Sequence, residues 1–509
     1  MQPDGPTGVK AATPGLPVPG SPPGRLAAIW HDNVARPVRA LKNAYLPLLM
    51  VYFAYGALGI IDVARDMWVK ESLSLSPAEL AGIGVWLSLP WTIKMVFGQL
   101  VDSVPLFGSQ RRAYVLIGAT LVALGLLTLA ASAGGRLATL RPDQAFILGA
   151  LLIVLGAVIQ DVVADAMSSE VVARTDAAGA PRPDGEIRAE LGMVQVLGRL
   201  ALGIGILSVA GLSGWLAQHL TREQVFLCGL AIPAISVVGI LASGAETAER
   251  QPLDWRILGG GLGFGAFVVS VALGGVPYAQ EAVFVGSMAI VLTMLHLVTR
   301  DIDPTTRRAI IFASVIIFAF RATPGVGDGY FWWSLDVLKF DEAFYGVLRQ
   351  TGAVLAIAAM WLFSKQLTEY SVTTVLFWIA VAGTILSLPN IGLFYGLADW
   401  TQANFGFGAR TIAVVDAATS SPFAQLSMIP LLTLIAYYAP EGRRATWFAL
   451  MASLMNLALV AGQLQTKYLN QIFTVGRGNY AELGDLLITA TVIGFVVPVA
   501  VILMFRKRV

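Results

Sequence analysis

Gly156–Glu170 reads GAVIQDVVADAMSSE, and it sets two aspartates, Asp161 and Asp165, inside a run that is otherwise apolar enough to span a membrane. At i and i+4 the two carboxylates share one face of a helix. An aspartate near the bilayer midplane costs about 2.5–3.5 kcal/mol on insertion scales. The pair therefore has to face a protein interior or a wet cavity, and the stretch reads as a membrane helix that lines one.

The rest of the chain agrees. Of its 509 residues 56% are hydrophobic and 13% are charged, and apolar stretches of about 20 residues recur along it, the pattern of a polytopic helical membrane protein. A net charge of +2 gives no footing for nucleic acid. The single cysteine, Cys228, excludes a disulfide framework and a thiolate metal site, and His31, His219 and His296 are scattered. No cofactor is expected. The first forty residues, rich in Pro and Gly and without an apolar core, read as a disordered cytoplasmic tail rather than a signal peptide.

Fourteen spans are expected, near 43–65, 78–101, 112–133, 143–172, 188–217, 222–244, 255–276, 279–299, 306–327, 342–364, 370–397, 410–438, 443–470 and 483–505. With both termini inside, 21 Lys and Arg fall on the inner side against 8 outside. Arg307, Arg308, Arg443, Arg444, Arg506, Lys507 and Arg508 lie among the inner set. This is the positive-inside bias of a cytoplasmic-membrane protein with cytoplasmic termini.

The spans group as six, two, six. Asp165-Ala-Met-Ser-Ser in the fourth span resembles Asp416-Ala-Ala-Thr-Ser in the fourth span of the second group, and Arg199-Leu-Ala-Leu resembles Asn456-Leu-Ala-Leu. The consistent order favours a duplicated bundle. The expected fold is an all-α membrane protein of the major facilitator kind, with two six-helix bundles plus a central two-helix insertion and about 14 transmembrane helices. The divisions expected are a tail at 1–42, an N-terminal bundle at 43–248, an inserted hairpin at 249–303 and a C-terminal bundle at 304–509. The run GGGLGFG at Gly259–Gly265 follows no strand, so it reads as helix packing by small residues and not as a nucleotide loop.

From Pro90 the chain reads PWTIKMVFGQLVDSVPLFGSQRRAY. Gly98, Asp102, Gly108, Arg111 and Arg112 resemble the loop between spans two and three of major facilitator proteins. The longer pattern resembles the folate–biopterin transporter family, as do QDVVADA at 160–166, ATPG followed by aromatics at 322–333, and PEGRRATWFALMASLMN at 440–456. The central hairpin departs from that family's usual twelve spans. The resemblance implies proton-coupled uptake of folates or pterins. The expected partners are a small-molecule substrate, protons and the lipid bilayer, with a monomer as the simplest state. A transporter of another metabolite and a non-transport assembly or pigment-delivery factor on the same fold are the alternatives. No nucleotide loop, metal cluster or nucleophile triad points to an enzyme.

Among the ionisable residues, Asp161 and Asp165 suit proton carriage or a grip on the paired N–H donors of a pterin. The bland alternative is a permanent ion pair with Lys94 or Arg199. Arg199 and Arg321 suit a folate's carboxylates, or internal pairing with Asp161, Asp165 or Asp328. Lys94 is a ligand or a gate. Asp416 mirrors Asp165 with no evident cation in its own bundle. Asp102, Arg111 and Arg112 read as a conformational gate at the inner face, or as plain anchors. Tyr330, Phe331, Trp332 and Trp333 read as an interfacial belt or as a stacking surface, with Trp91 similar, and Asp62 reads as snorkelling to the interface.

Overall fold

The structure, a computed structural model, describes residues 39–243, 255–427, 431, 435 and 444–506, apart from positions 110, 138, 177, 275, 301 and 370. Most of the expected tail, the 244–254 linker, most of 428–443 and the basic pair Lys507–Arg508 lie outside the described residues.

The described chain is helical from end to end. In the first part α1 (Leu46–Ala57), α2 (Asp62–Ser72), α3 (Pro77–Thr92), α4 (Lys94–Ser103) and α5 (Arg112–Ala133) are followed by α6 (Pro142–Glu170), α7 (Asp184–His219), α8 (Arg222–Cys228) and α9 (Ala231–Leu241). Two helices follow the linker, α10 (Trp255–Leu273) and α11 (Ala279–Thr299). Then come α12 (Pro304–Arg321), α13 (Asp328–Asp336), α14 (Glu342–Glu369), α15 (Val372–Phe394), α16 (Leu397–Phe405), α17 (Ala409–Leu426), α18 (Arg444–Ile472) and α19 (Leu483–Phe505). Among the described residues nine helices are long and apolar enough to cross a membrane, and Gly259–Ala272 is a shorter apolar helix. The chain is a multi-pass membrane protein.

The helices are interrupted at several points, among them Gly229–Leu230 between α8 and α9, and three other breaks can be followed in the sequence. Between α1 and α2 the backbone tightens into a 3-10 turn at Leu58–Ile61. Pro90 lacks the N–H that would continue the ladder, and three residues after it Ile93 leaves helical geometry, so α3 and α4 are separate helices. Ala322–Gly327 reads ATPGVG; Gly327 takes φ +78, which only glycine adopts without strain, and α13 starts at the next residue. The chain therefore runs on as a helix from Asp328 to Asp336. Tyr330–Trp333 lie on this helix, and Trp332 and Trp333 are buried in the protein.

The first six spans pack as neighbours, α5 on α6 and α1 on α7, around a core of Tyr45, Tyr52, Val158 and Val194. Glycines allow the closest approach: a Cβ on Gly205 would lie 2.2 Å from the Phe53 carbonyl, and one on Gly56 would lie 2.1 Å from that of Leu202. The α10–α11 pair spreads over helices from both ends of the chain. Gly261 of α10 faces Val96 of α4. In α11, Glu281 takes hydrogen bonds from Lys467 and Tyr468 of α18, both at 2.7 Å.

The apolar part of α7 is Val196–His219, so its first three turns project beyond the span. There Lys42, Tyr45 (2.5 Å) and Arg182 (2.9 Å) all donate to Glu190. These donors, Lys42 first, hold the Glu190 carboxyl down to about 2, against a modest opposing effect of burial. The depressed value means that the ion pair stabilises the fold fully above about pH 4.5 and that the contribution fades as pH falls toward 2. Glu190→Gln is expected to lower the unfolding temperature in detergent by a constant amount at neutral pH. The gap to the parent protein should shrink below about pH 4.5; a gap that does not change with pH defeats the assignment.

Candidate functional site

The breaks put charges at helix ends inside the spans. Lys94 is the first residue of α4, a position where the helix dipole disfavours a cation by about 0.3–1 kcal/mol. Two carboxylates offset this: Lys94 Nζ donates to Asp161 Oδ2 at 2.5 Å and to Asp165 Oδ2 at 2.6 Å. Tyr52 of α1 donates to Asp165 Oδ1 at 2.7 Å. Asp161 is buried, whereas the Asp165 side chain is 45% exposed. Both aspartates of α6 and Lys94, joined in the sequence reading only as one possibility, form a single triad.

Aromatic rings border it. Tyr55 and Trp91 lie 5.7 Å apart, centroid to centroid, with their planes tilted by 31°. The Trp91 carbonyl, freed from the helical ladder near the break, accepts from Asn456 Nδ2 of α18 at 3.0 Å. Asn456, which aligned with Arg199 in the sequence repeat, thus ties the second part of the chain to the hinge that carries Lys94. Arg199 itself is exposed on α7. It stands beside Gly198, which packs on the Tyr52 ring, near enough to act electrostatically on Tyr52, Tyr55 and Asp161.

The other expected residues lie elsewhere. Arg321 ends α12, half-buried, where a cation suits the helix C-terminus. Asp416 of α17 belongs to a chain of its own: Tyr330 donates to Asn390 Oδ1 at 2.7 Å, and Asn390 Nδ2 donates to Asp416 Oδ2 at 3.2 Å. The second Asp416 oxygen has no hydrogen-bond partner among the described residues. Asp102, Arg111 and Arg112 sit together near the end where the chain enters. Arg111 holds Asp102 at 2.9 Å and also Glu170, and Arg112 donates to the Ser243 carbonyl at 2.6 Å. The bonds described for these three run between spans of the first six, joining the second, third, fourth and sixth.

The opposite end is sealed between the first six spans and the helices after 304. Lys70 pairs with Asp336 and Arg349 with Asp62. Arg222 bridges Glu71 (2.8 Å) and Glu342 (3.0 Å), and Gln350 accepts from the Gly211 N–H at 2.9 Å. Arg477 donates to the carbonyls of Val69, Lys70 and Leu75 at 2.6–2.8 Å, and its guanidinium lies 4.1 Å over the Trp332 ring.

Under this seal is a cluster that the sequence reading missed. Asp62, Arg65, Asp66 and Asp328 line a cavity of about 470 Å³. Asp62 does not snorkel: it pairs with Arg65 at 3.1 Å and with Arg349. The signal was present as Asp62, Arg65 and Asp66 at i, i+3 and i+4 in an apolar helix, but a span drawn to end at residue 65 cut through it.

The BT1 family model matches residues 56–509. Among curated relatives, the chain is 27% identical to a "Folate-biopterin transporter" of Synechocystis over 433 residues, 83% of this chain and 75% of that one. It is 22% identical to "Probable folate-biopterin transporter 4" of Arabidopsis thaliana, with 87% and 91% covered. It is 20% identical to "Folate transporter 1" of Plasmodium falciparum, with 90% and 78% covered. Among solved structures, a POT family transporter in complex with a thioalcohol conjugated peptide superposes with a TM-score of 0.64 at 14% identity, covering 93% of this chain and 99% of that one. At that identity the likeness concerns the fold alone, which is of the major facilitator type.

Proposed function

The chain belongs to the BT1 family of membrane transporters, and on that premise we propose that it carries a pterin- or folate-like solute across a cytoplasmic membrane by alternating access, driven by protons. Two six-helix bundles at 43–248 and 304–509 would rock about the site, with the 249–303 hairpin laid across their seam. Both termini would be cytoplasmic, so the sealed end is the outer one and the triad opens inward.

The observation that carries this reading is the Lys94–Asp161–Asp165 triad at a broken helix beside paired aromatic rings. A carboxylate accepts up to about four hydrogen bonds. Asp165 uses one oxygen for Tyr52 and the other for Lys94, and its exposed face leaves room for the adjacent N–H and amino donors of a pterin ring. Trp91 and Tyr55 offer flat surfaces to the heterocycle. Arg199 of α7 and Arg321 of α12 would be the cations that meet a folate's carboxylates. Asp102, Arg111 and Arg112 would gate the inner end when the bundles swing together, and Asp416 would serve as a polar wall of the second bundle.

The test is uptake of labelled folate and biopterin into vesicles containing the purified protein, with and without an imposed pH gradient. Accumulation above equilibrium that a protonophore abolishes is expected. No uptake and no thermal stabilisation by any member of a pterin panel overturns the substrate class. Uptake that ignores the gradient overturns the coupling.

A further inference from the structure

The break at Ile93 frees α4 from the direction of α3, so the helix that begins with Lys94 is placed by whatever packs on it. The helices it meets most are α6 and α10. At about 100° per residue, Lys94 and Val96 point about 200° apart around α4. Lys94 faces the aspartates of α6, and Val96, on the opposite side, faces α10. There a Cβ on Gly261 would lie 2.3 and 2.5 Å from the two Val96 methyls and 2.9 Å from Val96 Cβ. Valine is stiff at χ1, so turning the side chain aside does not relieve the contact. Gly259, Gly260, Gly263 and Gly265 of the same run have nothing within 4 Å of such an atom among the described residues. One glycine of the five is therefore required by a neighbour, and that neighbour stands two residues from Lys94.

The hairpin has its footing elsewhere. Val291 and Leu295 of α11 share a buried core with Ile316 and Ile317 of α12 and with Leu457 and Val460 of α18. Glu281 of α11 pairs with Lys467 of α18 at 2.7 Å. The first helix leans on the second: a Cβ on Gly286 of α11 would meet the Phe267 ring of α10 at 3.5 Å. Thus α10 stands on the second part of the chain and touches the back of the helix that carries Lys94. We propose that Gly261 is a positioning residue of the transporter: through Val96, the inserted hairpin sets how closely Lys94 approaches Asp161 and Asp165. This rests on the transport reading above and gives the hairpin a part in it. A methyl at Gly261 displaces α4 against α6, and a misplacement of about 1 Å in such a constellation costs as much as about 100-fold in rate.

Two measurements give the test: uptake of labelled folate into vesicles containing the purified protein, and trace acylation of Lys94 read by mass spectrometry. Gly261→Ala is expected to raise KM for folate at least about fivefold with the maximal rate within about twofold, while Gly263→Ala on the same helix keeps the parental KM. Alanine favours a helix over glycine, so the substitution itself does not threaten α10. Val96→Ala removes the two crowding methyls and is expected to return the Gly261→Ala variant to within about twofold of the parent. An unchanged KM in Gly261→Ala overturns the proposal, because α10 has then given way instead. An equal change in Gly263→Ala overturns it too, as does a double variant that does not recover. Should Gly261→Ala not yield monodisperse protein, Val96→Ala alone carries the test: loosening the contact is expected to raise KM, and a parental value overturns the assignment. The acylation readout needs no solute. Only the free amine reacts, and two carboxylates hold Lys94 as its ammonium. At fixed pH the Lys94 rate is expected to change at least about threefold in Gly261→Ala and to match the parent in Gly263→Ala. A parental rate in Gly261→Ala defeats the proposal even where folate is carried. A changed rate without folate uptake supports the positioning role and defeats the solute assignment instead.

Discussion

Replacing Lys94 by alanine is expected to reduce solute transport by about 100-fold or more in vesicles, with the protein still monodisperse. Lys94 makes two charge-assisted hydrogen bonds, at 2.5 and 2.6 Å, and such bonds are worth about 1.5–3 kcal/mol each. Its loss also leaves two carboxylates on one face of α6 with their shared cation gone, and like charges one turn apart repel. Lys94→Arg keeps the charge but replaces a point donor by a planar fork, so partial activity is expected. The two aspartates should differ. Asp161 is buried, and Asp161→Asn should lower thermal stability as well as transport. Asp165 is 45% exposed, and Asp165→Asn should mainly weaken solute binding. Lys94→Ala at more than about a tenth of parental transport would remove the triad from the mechanism.

How much of this was legible differs from residue to residue, for physical reasons. The i, i+4 aspartates announced themselves because charge in an apolar helix is costly, and the Pro-Trp-x-Ile-Lys run placed Lys94 one turn from a proline break. The break at 322–327 was equally open to reading, since Pro324, Gly325 and Gly327 stop a helix. Its consequence was not, because a short apolar run past a break reads the same as an interfacial belt until its packing is known. Trp332 is buried beneath Arg477, a residue more than a hundred positions away. The Asp62–Arg349 pair joins positions 287 apart, and no periodicity reports such a partner. Nor does the chain's pattern say that Glu281 of α11 would meet Lys467 of α18. The family signal supplied the fold and the general role, while the cluster under the seal needed three dimensions.

The seal rests on a bare backbone crossing, which gives the second large expected effect. Where α7 meets α14, a Cβ on Gly214 would lie 2.4 Å from the Glu342 carbonyl and 2.5 Å from Gly346 Cα, and one on Gly346 would lie 2.7 Å from the Gly211 carbonyl. Neither obstacle is a flexible side chain, so the helices have to part. Overpacking costs about 1–3 kcal/mol. Charged to the sealed state alone, this shifts the sealed–open balance by about 5- to 150-fold. Gly214→Val is therefore expected to fold, to bind solute and to transport poorly, because on the proposed alternating-access reading the arrangement it excludes is one step of the cycle. Gly205→Val meets an equally close carbonyl, 2.2 Å away on Phe53, but that contact lies between α1 and α7 inside the first six spans. No alternative arrangement relieves it, so loss of monodisperse protein is expected instead. The same substitution at two sites nine residues apart on one helix would thus separate a moving interface from a fixed one. Gel filtration and vesicle transport read the two outcomes. Parental transport by Gly214→Val, or collapse of both variants alike, would show that α7 and α14 do not part during transport.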